Sequence, residues 1–145
     1  MIKKAILNDL VSTQDLTSLE QHLVFQYLTN KKLGFAKSPL LTDYFKGFEP
    51  DTKLFFDVSV LEIETIKDLE NHLELIIPQT DRKLNGAFFT PAYIIDFIIK
   101  EVKPQPNDKN LDPSCGCGAF LIGLTEYYKT TFSKSVKTII KENIY

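Results

Sequence analysis

Residues 112–120 read Asp-Pro-Ser-Cys-Gly-Cys-Gly-Ala-Phe. Gly116 and Gly118 remove side chains at alternate positions, and glycine tolerates both positive φ and close approach of a ligand to the backbone. A turn of this kind between a strand and a helix presents backbone N–H groups at the helix start. A dinucleotide site uses the same physics for pyrophosphate, but its Gly-x-Gly-x-x-Gly pattern is not met, because Leu121 stands where the third glycine is needed. Asp112, at the end of a short strand carrying Leu111, would set a carboxylate beside the positive part of a bound group. The same carboxylate can equally cap the Pro113-Ser114 turn.

Outward from this loop the hydrophobic period sets the expected elements. Thr90 is expected to cap a helix and Pro91 to occupy its first turn. Ile95, Ile98, Ile99 and Val102 then face one side, with Ile94 and Phe97 widening the band, as suits a helix packed on a sheet. Residues 103–110 form a loop with two prolines. A helix is expected again from Gly118, turning Phe120, Leu121, Leu124 and Tyr128 inward, with a break at 133–137 and a new strand beginning at Asn143-Ile144-Tyr145. Helix, strand, glycine loop, helix and strand start make the first unit of a doubly wound, Rossmann-like α/β sheet.

The first eighty residues read as helical. Thr17-x-x-Glu20 is expected to be a capping box opening a helix to about Asn30. Ser38-Pro39 opens a second helix, closed by Gly47 and Pro50. Residues 54–60 are strand-like in composition, but the helical stripe Ile66, Leu69, Leu73 and Ile76 that follows carries the reading to helix from about 54 with a break near 60. The expected organisation is therefore a helical segment, 1–80, and the incomplete beginning of an α/β domain, 81–145, the piece as a whole being mostly α.

A net charge of -2 provides no basic footprint for nucleic acid. The two cysteines, Cys115 and Cys117, are too close in sequence for an unstrained bridge. Cys115 is expected to pack under the loop. Two soft ligands and two distant histidines, His22 and His72, make no metal site. No apolar run is long enough to span a membrane, and no signal peptide is evident, so the cytoplasm is the expected compartment.

Residues 112–120 resemble the cofactor loop of adenine-specific DNA N6-methyltransferases, usually Asp-Pro-(Ala/Ser)-Cys-Gly-(Ser/Thr)-Gly-(Ala/Ser)-Phe. Upstream, Gly86-Ala87-Phe88-Phe89-Thr90-Pro91 resembles the Gly-x-(Tyr/Phe)-(Tyr/Phe)-Thr-Pro element of the same family. The resemblance implies S-adenosylmethionine as cofactor and double-stranded DNA as partner, in a bacterial restriction-modification system with a separate restriction or specificity subunit or a fused domain. It implies cofactor contacts from Phe89, Thr90, Asp112, Pro113, Ser114, Cys115, Gly116, Cys117, Gly118 and Phe120. Cys117 departs from the family's serine or threonine and gives up a strong hydroxyl partner. The family's Asn-Pro-Pro-(Tyr/Phe) base pocket does not occur in this sequence, so catalytic residues are expected beyond residue 145, and the chain, read as an N-terminal piece of such an enzyme, is expected to be inactive alone. Two alternatives stand beside this reading: a helical interaction or DNA-docking module with a vestigial donor loop, and a methyltransferase acting on RNA or on protein glutamine.

Overall fold

Short polar side chains decide where most helices begin in the computed structural model, which describes residues 2–34, 38–78 and 90–145. The carboxylates of Asp15 and Asp51 accept the N–H groups of Ser18 (2.8 Å) and Leu54 (2.7 Å). The hydroxyls of Ser38, Thr65 and Ser135 accept those of Leu41, Asp68 and Thr138. Each bond satisfies a donor that a helix start otherwise leaves orphaned. The resulting helices are α1 (Ile2–Thr13), α2 (Leu16–Asn30), α3 (Pro39–Tyr44), α4 (Thr52–Ser59), α5 (Ile66–Ile76), α6 (Ala92–Val102), α7 (Ala119–Phe132) and α8 (Val136–Glu142). The chain divides into two compact units, Met1–Asn85 and Gly86–Tyr145.

In the first unit α2 packs against α1, α4 and α5. Leu19 and Leu23 of α2 meet Leu7 and Leu10 of α1, Leu54 and Val58 of α4, and Leu69 and Ile76 of α5 in one buried cluster. The connection after α4 adds Leu61 and Ile63. Helix α1 lies in the segment expected to be helical, and its Ile6, Leu7, Leu10 and Val11 are spaced for one apolar stripe. The capping box expected at Thr17 and Glu20 does not form, because Asp15 caps the helix two residues earlier. A true capping box stands instead at Thr65 and Asp68.

His22 ties α2 to the start of α4. It is 1% exposed, its Nε2 accepts the N–H of Asp51 (2.9 Å), and its Nδ1–H donates to the carbonyl of Ser18 (2.7 Å). The Asp51 N–H can only donate, so the imidazole is neutral with its proton on Nδ1. The edge of His22 also meets the ring of Phe48 at 4.9 Å between centroids, which joins it to an aromatic group of Phe25, Phe45, Phe48 and Phe55.

In the second unit α7 lies between α6 and α8. Ile95 and Ile99 of α6, Leu124 and Tyr128 of α7 and Ile139 of α8 form its buried cluster. Gly123 permits the close approach of α6 and α7: a Cβ there would lie 2.9 Å from Ile95 Cγ2. The expected cap at Thr90 is absent. Pro91 takes the N-cap position with no side-chain hydrogen bond, and α6 begins at Ala92. The break expected at 133–137 shrinks to a left-handed Ser133 and a short turn, after which Ser135 caps α8.

The expected Rossmann-like sheet is not there. Among the described residues no β-strand or sheet forms, and the unit is helical. What remains of the two expected strands is one isolated parallel bridge between Asn110 and Ile144, with Asn110 N–H donating to Asn143 O (2.8 Å) and Tyr145 N–H to Asn110 O (2.9 Å). Pro104 and Pro106 precede this point and Pro113 follows it, so donors that a longer ladder requires are missing.

The segment 104–110 is held by side chains instead. Asn143 is fully buried. Its Nδ2 donates to the carbonyls of Asp108 (2.7 Å) and Pro106 (3.0 Å), and its Oδ1 accepts from Lys134 Nζ (2.9 Å). Lys134 also donates to the Pro106 carbonyl. The buried Tyr128 hydroxyl donates to Gln105 O (3.0 Å) and accepts from Asn110 Nδ2 (3.0 Å).

Three consequences are measurable. His22→Leu removes the acceptor of the Asp51 N–H and should cost about 0.5–1.5 kcal/mol in native-state hydrogen exchange of the α2 amides; an unchanged exchange profile contradicts the tie. The Thr65 hydroxyl donates to Asp68 Oδ2 (2.8 Å) and holds that carboxyl below its usual range against the opposing effect of burial, with help from the Thr65 and Glu64 N–H groups and His72. Its contribution should be complete above the unfolded value of about 3.9 and vanish as pH falls through the lower folded value. Thermal melts between about pH 2 and 6 should show that loss, and Asp68→Asn should flatten it. Asn143→Ala should destabilise the second unit by about 1–3 kcal/mol, since the fully buried amide and its bonds to Pro106, Asp108 and Lys134 are lost together; urea unfolding followed by the exchange of α7 amides reads the change.

Candidate functional site

The loop between Leu111 and α7 is shaped by its own backbone. Asp112 Oδ1 accepts the N–H of Ser114 (3.0 Å), which makes the turn through Pro113. The N–H of Gly118 donates back to Cys115 O at 2.7 Å. Gly116 has φ +53° and Gly118 φ +86°, the left-handed region that glycine enters without penalty. Gly118 then caps α7, its carbonyl accepting the N–H of Ile122. A Cβ at either glycine would meet nothing within 4 Å. Both glycines are therefore required by backbone conformation; no neighbouring group lies close enough to demand the missing side chain.

Of the residues expected to hold the cofactor, three border a concavity beside the loop. Asp112, Pro113 and Phe120 line an open concavity of about 460 Å³. Its other walls are Ile98, Ile99 and Val102 of α6, Pro104 and Leu124, with Lys109 and Asp112 as its charged residues. Ser114, Cys115, Gly116, Cys117 and Gly118 lie outside that lining. Pro113, Ser114, Cys115 and Gly116 are exposed, and Cys117 and Gly118 are half-buried. Cys115 thus does not pack under the loop; its thiol points only as far as the Gly116 carbonyl, at 3.8 Å. The cysteines are not bridged, and among the described residues no group of three or more His, Cys, Asp or Glu could hold a metal ion. Thr90 is half-buried just before α6 and makes no hydrogen bond among the described residues. Phe89 lies outside the described residues, as does Phe88.

S-adenosylmethionine is a zwitterion carrying a ribose and an adenine, so its site must offer free N–H groups, a carboxylate for the ammonium and a bed for the ring. Here the Gly118 N–H is taken by Cys115, one Asp112 oxygen is taken by Ser114, and the adjoining concavity is walled mainly by aliphatic side chains. The residues present do not fit the cofactor, and no step of methyl transfer follows from them. The reading of the chain as part of a DNA adenine methyltransferase that works through a Rossmann-like donor fold is corrected on this ground: the strands that would carry the loop are absent among the described residues.

One feature of the site escaped the sequence reading. The Asn143, Lys134 and Tyr128 network that fixes the approach to the loop joins residues from separate helices and turns, and no local pattern marks it.

Among the described residues no helix is long and apolar enough to cross a membrane. The methylase subunit of the type I restriction enzyme EcoEI of Escherichia coli is 26% identical over 111 residues, which are 72% of this chain and 23% of that protein. The chain therefore spans less than a quarter of the length of this curated relative. No solved structure matches it. The pattern of the N-6 DNA Methylase family matches residues 70–144, just over half of the chain and the whole of the segment from α6 through the glycine loop to α8, so the chain belongs to that family.

Proposed function

We propose that the chain is a helical interaction module of a bacterial restriction-modification assembly, with its donor loop kept as a vestige. Family membership brings S-adenosylmethionine use and DNA association as general properties of the family. One observation carries the narrower reading: the polar groups of the loop bond to one another, Asp112 to Ser114 and Gly118 to Cys115, while the expected contacts are dispersed over exposed backbone. Phe89, Thr90, Asp112, Pro113, Ser114, Cys115, Gly116, Cys117, Gly118 and Phe120 are in this reading the remnant of a donor site. Two helical cores remain, and a module built of them offers surface rather than chemistry. A net charge of -2 makes no counterion-releasing footprint for phosphates, so a protein surface suits this chain better than bare DNA. The relative is named as the methylase subunit of a type I restriction enzyme, which makes a restriction or specificity subunit of such an enzyme the proposed partner.

Isothermal calorimetry with S-adenosylmethionine tests the reading. No saturable heat is expected up to about 1 mM ligand. Binding tighter than about 100 µM that disappears in both Asp112→Asn and Gly116→Val overturns the vestigial loop and restores those residues as a donor site. The positive counterpart is co-elution of the chain with a restriction or specificity subunit of the same genome.

A further inference from the structure

We infer that Cys115 and Cys117 form a redox-sensitive dithiol, which a small disulfide such as oxidised glutathione converts into a reversible bridge across the turn that leads into α7. The inference goes beyond the module reading. It uses only the two thiols and the turn between them, and it holds whether the loop is a donor site or a vestige.

The turn brings the two residues together. Gly118 N–H donates to Cys115 O at 2.7 Å, so residues 115–118 make a β-turn with Gly116 and Cys117 at its centre. Consecutive Cα atoms stand about 3.8 Å apart, and a turn this tight keeps the Cα atoms of residues two apart at roughly 5–6 Å. Disulfides accept Cα separations of about 4.4–6.8 Å. The separation therefore admits a bridge. Its small ring holds the dihedral angles away from their preferred values, and a disulfide strained in this way is more easily reduced. A bridge here is thus of the labile kind, which forms and opens with the thiol poise of its surroundings.

Gly116 supplies the freedom that ring closure needs. It has φ +53°, and a Cβ there would meet nothing within 4 Å, so no neighbouring group crowds that side of the turn. Glycine also changes its backbone dihedrals at the least steric cost. The two thiols differ in access. Cys115 is exposed, and among the described residues its thiol has one long contact, to the Gly116 carbonyl of its own turn at 3.8 Å. Cys117 is half-buried. The sequence has no other cysteine, so a disulfide within one chain has a single possible connectivity.

The exchange balances in two steps. The Cys115 thiolate attacks one sulfur of oxidised glutathione, forming a mixed disulfide and releasing one glutathione thiolate. The Cys117 thiolate then attacks the Cys115 sulfur, forming the Cys115–Cys117 bond and releasing the second glutathione thiolate. The protein dithiol loses two electrons, the small disulfide gains them, and the two thiol protons end on the two released glutathiones. The second step is intramolecular across one intervening residue, so the bridge outcompetes a second molecule of glutathione. Reduced glutathione reverses both steps.

Incubation of the whole chain with about 5 mM oxidised glutathione at about pH 8, followed by acid quench, alkylation and intact-mass measurement, tests this. The expected product is a monomer lighter by one pair of hydrogens, which takes up no alkylating group and carries no glutathione. It should exceed the glutathione-bearing chain by at least about tenfold, and about 10 mM reduced glutathione should restore both thiols. Cys117→Ser should stop at a stable mixed disulfide on Cys115. Cys115→Ser should react at least about threefold more slowly than Cys117→Ser, because the remaining thiol is less accessible. A chain that carries glutathione on both cysteines without closing overturns the pair. So does one that is oxidised only between two copies, or one whose thiols both stay reduced. None of these results bears on S-adenosylmethionine binding in the calorimeter, which tests the module reading separately.

Discussion

The second unit depends on the burial of one amide. Asn143 has no exposed surface, and its side chain bonds to Pro106, Asp108 and Lys134 while its carbonyl takes the N–H of Asn110. Segment 104–110 contains two prolines and forms no ladder, so its carbonyls have few backbone donors available. Asn143, Lys134 and the hydroxyl of Tyr128 supply donors to the carbonyls of Gln105, Pro106 and Asp108. With them, Asn110 is set at a fixed place against α7, and the glycine loop that starts two residues later inherits its position. His22 has a parallel role in the first unit, where one neutral imidazole joins the backbone of α2 to the start of α4.

The glycine loop shows how a local motif can persist without the surroundings that give it a chemical use. Positive φ at Gly116 and Gly118 and the Asp112 turn are properties of nine consecutive residues and form here. A donor site needs more than these residues. It needs a strand end that aims the loop, N–H groups that are free, and neighbouring walls that meet a polar ligand. In this chain the neighbouring wall is aliphatic, and the loop's own carbonyl and carboxylate absorb two of its N–H groups. Family membership and the capacity for catalysis are thus separate statements about this molecule.

The same lack of a sheet explains the surface of α6. The helix buries Ile95 and Ile99 against α7, yet Phe97 and Val102 are 63% and 67% exposed. An apolar band broader than one neighbouring helix can cover is a surface that invites a partner. The low net charge, for its part, offers no long-range pull on a nucleic acid.

Much of the helical order was legible in the sequence because it is local. Ser38-Pro39, the stripe Ile66, Leu69, Leu73 and Ile76, and the start of a helix at Gly118 follow from the 3.6-residue period and from which side chains can reach a helix's first N–H groups. The family was legible for the same reason, since its motifs are contiguous. Cap positions were read less well: Asp15 displaced Thr17, and Pro91 took the place expected of Thr90, because several polar residues compete for one helix start and only the packed helix selects among them. Whether Leu111 and Ile144 would become strands was a tertiary matter. A strand exists only when a partner supplies consecutive hydrogen bonds, and that pairing is non-local. Here one bridge forms, buried side chains do the remaining work, and the donor loop is left on a helical scaffold.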